Sequence, residues 1–123
     1  MLMLLHTLGH TVGALTWKNA PNAAVKQVVN GMLGNRFDFM GRSVSIGDFY
    51  SGYGYTMIGV LLLVSILLWL LATTPFKSMM LVLGVFLFFL GIIELIYFFP
   101  FAAAFSLLAG IFTLIAYQRS WQK

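Results

Sequence analysis

Three long runs of apolar residues constrain this chain more than any other feature of its sequence. The first reads TMIGVLLLVSILLWLLAT over residues 56–73, the second SMMLVLGVFLFFLGIIELIYFF over residues 78–99, and the third covers residues 101–117. A helix needs about 20 apolar residues, within a range of about 17 to 25, to cross a hydrocarbon core of about 30 Å. Each run has that length, so the sequence predicts three transmembrane helices.

The composition fits a chain whose exterior faces lipid. Of the 123 residues, 61% are hydrophobic and 8% are charged, whereas a soluble domain carries about 25% charged residues. The absence of cysteine excludes disulfides, thiolate metal sites and thiol catalysis. The net charge of +4 is not concentrated in a basic run with interleaved aromatic residues. We therefore expect the bilayer, and not nucleic acid, as the partner, and we expect no cofactor.

Residues 1–17 are the candidate for a further span, although they are shorter and less apolar. They lack the basic start and the small-residue cleavage site of a signal peptide. We therefore expect an all-α, integral membrane four-helix bundle with both termini on one side of the membrane. The predicted spans are about 1–17, 50–74, 78–99 and 101–118, within a single transmembrane domain over residues 1–123.

The polar segment between the first two predicted spans contains an amphipathic helix candidate over residues 21–33. Pro21 suits a first helical turn and Gly34 is placed to end the helix. The apolar positions follow the i, i+3, i+4, i+7, i+8 pattern of one helical face, namely Val25, Val28, Val29, Met32 and Leu33. We expect this helix at the membrane interface. The remainder, NRFDFMGRSVSIG, is interpreted as a loop with aromatic anchors.

Ionisable and hydrogen-bonding residues inside the apolar segments indicate a functional site, because such groups are costly in a membrane. At a rise of 1.5 Å per residue, His10 lies about 10 Å and Glu94 about 8 Å below the long-loop surface, and Ser106 falls at a similar level. Helical spacing also places His6 with His10 on one stripe and Asp48 with Tyr55 on another. The sequence therefore predicts a polar pocket in one leaflet, formed by His6, His10, Asp48, Tyr55 and Glu94.

Simpler roles remain open for each of these residues. The histidines can tie helices together by hydrogen bonds, Asp48 can serve as the N-cap of the second span, and Tyr55 belongs to an interfacial aromatic belt. A metal site of His6, His10 and Glu94 is a further alternative, although HTLGH has Thr7 where the zinc-protease motif HExxH has glutamate.

HTLGH in the first span and GDFYSGYGYT at the entrance to the second resemble an uncharacterised bacterial family of small four-span membrane proteins. The architecture is also loosely similar to sterol-isomerase-like and sigma-2-receptor-like membrane proteins. The bacterial resemblance implies the inner (plasma) membrane. Three basic residues lie on the terminal side and four lie in the long loop. We expect cytoplasmic termini because the three on the terminal side are close to short connections. The terminal ones are Lys77, Arg119 and Lys123, and the others are Lys18, Lys26, Arg36 and Arg42.

Three functions follow as hypotheses from these patterns. The leading one is that the pocket binds a hydrophobic or lipid-like ligand, gated by residues 21–33. The second is a membrane enzyme of the isomerase type in which Glu94 and a histidine act as acid and base. The third is a structural or assembly subunit without a ligand site. Homo-oligomerisation is left open by the sequence.

Overall fold

The structure is a computed structural model that describes residues 1–120, so Trp121 and Lys123 lie outside the described residues. It is mostly helical. In chain order the elements are α1 (Leu2–Thr16), α2 (Ala23–Gly34), β1 (Arg36–Phe39), β2 (Arg42–Ser45), α3 (Ile46–Thr73), α4 (Lys77–Tyr97) and α5 (Pro100–Arg119).

Three helices, α3, α4 and α5, are long and apolar enough to cross a membrane. Their lengths of 28, 21 and 20 residues correspond to about 42, 32 and 30 Å at 1.5 Å per residue. The chain is therefore an integral membrane protein. Helix α1 has 15 residues and extends only about 22 Å, less than a typical hydrocarbon core, so the fourth span stays a prediction.

Contacts between Cα atoms divide the chain into two compact units, described separately below. Unit 1 contains residues 1–9 together with the described residues from Val60 onward. Unit 2 contains residues 10–59.

Unit 1 is built around the antiparallel pair α4 and α5, which pack through glycines. A Cβ atom at Gly110 would lie 2.8 Å from the backbone nitrogen of Phe88, and one at Gly91 would lie 2.6 Å from Leu107. Small residues at such positions let membrane helices approach closely. Pro100 is the first residue of α5, a position where the missing N–H costs no helical hydrogen bond.

In unit 2, the helix expected over residues 21–33 is present as α2 but starts later than Pro21. Its N-cap is Asn22, whose side chain accepts a hydrogen bond of 2.9 Å from the backbone nitrogen of Val25. Placing Pro21 in the first turn was therefore wrong, because the asparagine carbonyl caps the helix one residue further on. Helix α2 ends at Gly34, as the sequence predicts. Its location at a membrane interface stays a prediction.

The segment after α2 is a two-stranded antiparallel hairpin, where a loop was expected. Arg36 pairs with Ser45 and Phe39 with Arg42, and the two-residue turn has positive φ at both Met40 (51°) and Gly41 (80°). Type I′ hairpin turns require positive φ at both central residues and favour Asn-Gly. Methionine in the first position concealed the turn in the sequence.

The start of α3 is fixed by a reciprocal pair of hydrogen bonds between Ser45 and Asp48. The backbone nitrogen of Ser45 donates to Asp48 Oδ2 at 2.9 Å, and the backbone nitrogen of Asp48 donates to Ser45 Oγ at 3.1 Å. This geometry is a capping box. The expected N-cap role of Asp48 was therefore wrong in position, because Ser45 is the cap and Asp48 is three residues inside the motif. As a result α3 begins at Ile46.

Candidate functional site

A polar cluster in unit 1 joins one side chain from each of three helices. His6 of α1 lies between Glu94 of α4 and Ser106 of α5. Its Nε2 is 3.4 Å from Glu94 Oε1, and its Nδ1 is 3.2 Å from Ser106 Oγ. Both nitrogens of the His6 imidazole therefore face polar groups within the same unit.

The cluster is almost completely shielded from solvent. The exposed fractions of His6, Glu94 and Ser106 are 5%, 7% and 0%. The ring of Phe105 lies beside His6, with the ring centroids 6.0 Å apart. Burial of a polar group in apolar surroundings costs free energy unless the group forms a hydrogen bond. Each of the three side chains therefore needs the others as hydrogen-bond partners.

One oxygen atom of Glu94 differs from the other polar atoms of the cluster. Glu94 Oε2 is buried and has no hydrogen-bond partner among the described residues. The Ser106 hydroxyl is in hydrogen-bond reach of the Glu94 carboxyl as well as of His6 Nδ1, and neither contact involves Glu94 Oε2. The carboxyl group therefore has one oxygen available for a further hydrogen bond.

Two arrangements of protons satisfy the contacts of His6. When Glu94 is ionised, His6 donates from Nε2 to the carboxylate and accepts the Ser106 hydroxyl proton at Nδ1. When the Glu94–His6 pair holds one more proton, Nδ1 carries hydrogen and donates to Ser106 Oγ. Uptake of a single proton thus reverses the hydrogen bond between His6 and Ser106. The cluster can therefore hold or move a proton between defined atoms.

Unit 1 also contains a groove with a volume of about 390 Å³ and a mainly apolar lining. Met3 of α1 lines it and lies three residues before His6, so both residues are on one face of the helix. The complete lining is Met1, Met3, Leu4, Ser65, Leu68, Trp69 and Ala72. Apolar concave surfaces of this size are typical of small-molecule sites.

In unit 2, His10 has a different kind of partner from His6. Its Nε2 is 3.2 Å from the carbonyl oxygen of Gly54 in α3. Because a carbonyl only accepts, Nε2 must carry the proton. A Cβ atom at Gly54 would lie 3.2 Å from the Cβ of Ala14, so the glycine permits the close approach of the two segments. The His10 contact ties α1 to α3 within this unit.

The other two predicted pocket residues also lie in unit 2. Asp48 forms the capping box with Ser45, and its Oδ2 is 3.4 Å from Arg36 Nη1. Tyr55 is 56% exposed. The structure therefore brings His6 and Glu94 together in unit 1, and it places His10, Asp48 and Tyr55 in unit 2 with other partners or in the open. A single pocket of all five residues stays a prediction.

A second groove, of about 410 Å³, lies in unit 2 beside the start of α3. It has both polar and apolar walls, formed by Arg42, Val44, Asp48, Phe49, Gly52, Tyr53 and Thr56. The aromatic ring of Phe49 also contacts Phe37 and Phe39 of the hairpin. This groove was not foreseen, since it depends on the hairpin.

No known protein family, characterised protein or solved structure matches this chain. Its resemblance to small four-span bacterial proteins therefore stays a prediction. Within residues 1–120, no group of three or more His, Asp or Glu side chains is arranged to hold a metal ion, which leaves the metal alternative for His6, His10 and Glu94 without geometric support.

Proposed function

We propose that this protein binds a hydrophobic or lipid-like ligand in unit 1, with the polar end of the ligand at the cluster of His6, Glu94 and Ser106. The observation that carries the proposal is the buried Glu94 Oε2 without a hydrogen-bond partner among the described residues. Leaving such an atom unpaired costs about 1–3 kcal/mol. A hydroxyl or amide group of a ligand would remove that cost.

The apolar groove of unit 1 supports the same proposal, because it could hold the apolar part of the ligand. Met3, one of its lining residues, precedes His6 by about one helical turn. Unit 1 thus holds an apolar groove and a polar cluster on successive turns of α1. A ligand with an apolar chain and one polar group matches that combination.

The test is to purify the full chain in a mild detergent and to measure bound lipid by native mass spectrometry. We expect the wild-type chain to carry a lipid-like molecule and Glu94→Gln to lose most of it. Thr113→Val is the matched control, because the Thr113 hydroxyl donates to Ala109 O of its own helix. Wild-type protein without any bound molecule, or equal occupancy in Glu94→Gln, would contradict the proposal.

Acid–base catalysis of the isomerase type is a second candidate function. It is favoured by the 3.4 Å separation of His6 Nε2 and Glu94 Oε1, because a pair of titratable groups at this distance can exchange a proton with each other and with a bound substrate. Unchanged turnover of a candidate substrate by Glu94→Gln would remove this role.

A structural role is the third candidate, and it is favoured by the contact of three helices through His6. Polar side chains that hydrogen bond across helices stabilise membrane bundles. On this hypothesis Glu94→Gln lowers the unfolding midpoint while the wild-type chain carries no ligand. The combination of ligand occupancy and unfolding midpoint therefore separates the structural role from ligand binding.

We further propose that the protein lies in the bacterial inner membrane as four spans with cytoplasmic termini. Because the chain contains no cysteine, single cysteines report on each end of α3 without background. Ser43→Cys in the hairpin should react with a membrane-impermeant maleimide from outside spheroplasts, and Thr74→Cys should not. The opposite reactivity would reverse the orientation.

A further inference from the structure

The groove in unit 2 combines features that suit the headgroup of a lipid. It lies where α3, the longest membrane-spanning helix, begins. Arg42 of the hairpin forms one part of its wall, and the hydroxyl-bearing side chains of Tyr53 and Thr56 form another. Gly52, which immediately precedes Tyr53 in α3, also lines the groove, and a Cβ atom there would meet nothing within 4 Å. The groove is therefore open at the level of these polar groups.

The two arginines of the hairpin differ in what they contact. The Arg36 side chain donates to Ser43 and lies 3.4 Å from Asp48. By contrast, within residues 1–120 the structure shows no hydrogen bond or ion pair to the Arg42 guanidinium. Arg42 is thus a cation beside the groove, and the described part of the chain does not use the hydrogen-bond donors of its guanidinium.

The acidic residue in the groove does not cancel this positive charge. Asp48 already accepts a hydrogen bond from the Ser45 backbone, and both Arg36 and Lys18 act on it electrostatically. Unit 2 as a whole has four basic residues against two acidic ones. The local balance therefore favours an anion at Arg42.

We propose that this groove binds the phosphate of an anionic phospholipid. The Arg42 guanidinium would donate hydrogen bonds to the phosphate oxygens, for which its planar fork is well suited, and the hydroxyl groups of Tyr53 and Thr56 would supply further donors. A phospholipid fits better than free phosphate because α3 continues beyond Thr56 as an apolar run, along which acyl chains can lie. The site shares no residue with the cluster in unit 1.

The experiment titrates the detergent-solubilised full chain with phosphatidylglycerol or with phosphatidylcholine and follows binding by native mass spectrometry. We expect tighter binding of phosphatidylglycerol, and a loss of about fivefold or more in its affinity in Arg42→Gln, since a basic residue near anionic lipid contributes about 1 kcal/mol. Lys26→Gln is the matched control, because it removes the same charge from α2 of the same unit, away from the groove lining. The affinity of Lys26→Gln for phosphatidylglycerol should change less than twofold.

A second variant tests the groove without changing charge. Gly52→Leu places a side chain in the open space and should weaken phosphatidylglycerol binding while α3 remains helical, since leucine favours helix over glycine. Equal losses in Arg42→Gln and Lys26→Gln would show only general charge attraction and overturn the proposal. Equal wild-type affinity for both lipids would also overturn it. Displacement of phosphatidylglycerol by millimolar inorganic phosphate would identify free phosphate as the ligand, and would overturn the assignment to a lipid.

Discussion

His6 and His10 occur one helical turn apart in HTLGH, yet they have unlike surroundings. In unit 1, His6 is buried and its two ring nitrogens face a carboxyl group and a hydroxyl group. In unit 2, His10 is only partly buried and its Nε2 donates to a backbone carbonyl. The first histidine belongs to a network of side chains that can exchange a proton, and the second makes one contact of fixed direction. Residue type and spacing alone would have given the two histidines the same role.

The largest expected difference between the two histidines is in the stability that is lost when each one is replaced by leucine. His6→Leu leaves the Glu94 carboxyl and the Ser106 hydroxyl buried without their central partner. Loss of one member of a buried ionisable pair costs about 3 kcal/mol or more. His10→Leu removes one hydrogen bond to a carbonyl, worth about 1 kcal/mol. The free energy of unfolding in mixed detergent micelles measures both, and similar losses would mean that the His6 cluster contributes no more than a single contact.

Glycines of the two units should respond to alanine with opposite signs. At Gly110 in unit 1 the added Cβ meets backbone atoms of α4 that cannot rotate away, so Gly110→Ala should destabilise the protein by about 1–3 kcal/mol. At Gly59 in unit 2 the added Cβ meets nothing within 4 Å. There the better helix propensity of alanine should stabilise α3 by about 0.5–1 kcal/mol. If the unfolding midpoints of Gly110→Ala and Gly59→Ala shift in the same direction, the two glycines do not differ in packing as proposed.

The capping box of unit 2 should have a smaller effect, confined to the start of α3. Ser45→Ala removes the hydroxyl that accepts from the Asp48 backbone, and replacement of an N-cap serine by alanine costs about 1 kcal/mol. Hydrogen exchange of the first turn of α3 should therefore become faster. Ser43→Ala, two residues earlier in the same strand, removes a hydrogen bond from Arg36 within the hairpin but leaves the capping box in place, and it serves as the comparison. Faster exchange in both variants would indicate a general loosening of the hairpin.

The hairpin turn offers the smallest effect, and it is stabilising. Met40 has a φ of 51°, a conformation that asparagine adopts more readily than methionine. Met40→Asn should therefore raise the stability of the hairpin by about 0.5 kcal/mol. Ser43→Asn introduces asparagine at an extended strand position and should not raise the stability of the hairpin. Protection of the hairpin amides from exchange measures both, and a loss of protection in Met40→Asn would contradict the turn geometry.

The sequence is most informative where one residue pattern decides the structure alone. The apolar runs locate α3, α4 and α5 because length and hydropathy suffice for a membrane helix. The hairpin could not be foreseen, since its two strands have four residues each and its turn has Met40 in place of the usual asparagine. Helical spacing places His6 and Glu94 on faces and at depths, but it cannot choose partners. That choice depends on how each helix is rotated about its own axis, and only for α4 and α5 do close glycine contacts explain the rotation.

The short link between α4 and α5 has a consequence for how the chain enters a membrane. Only Phe98 and Phe99 separate the two helices, which leaves no polar loop that could stay behind at the surface while one helix inserts. We therefore expect α4 and α5 to insert together as one helical hairpin, which would bring Glu94 close to Ser106 as soon as both helices are in the membrane. His6 is translated before the other two residues, but it can join the cluster only after α4 and α5 have inserted.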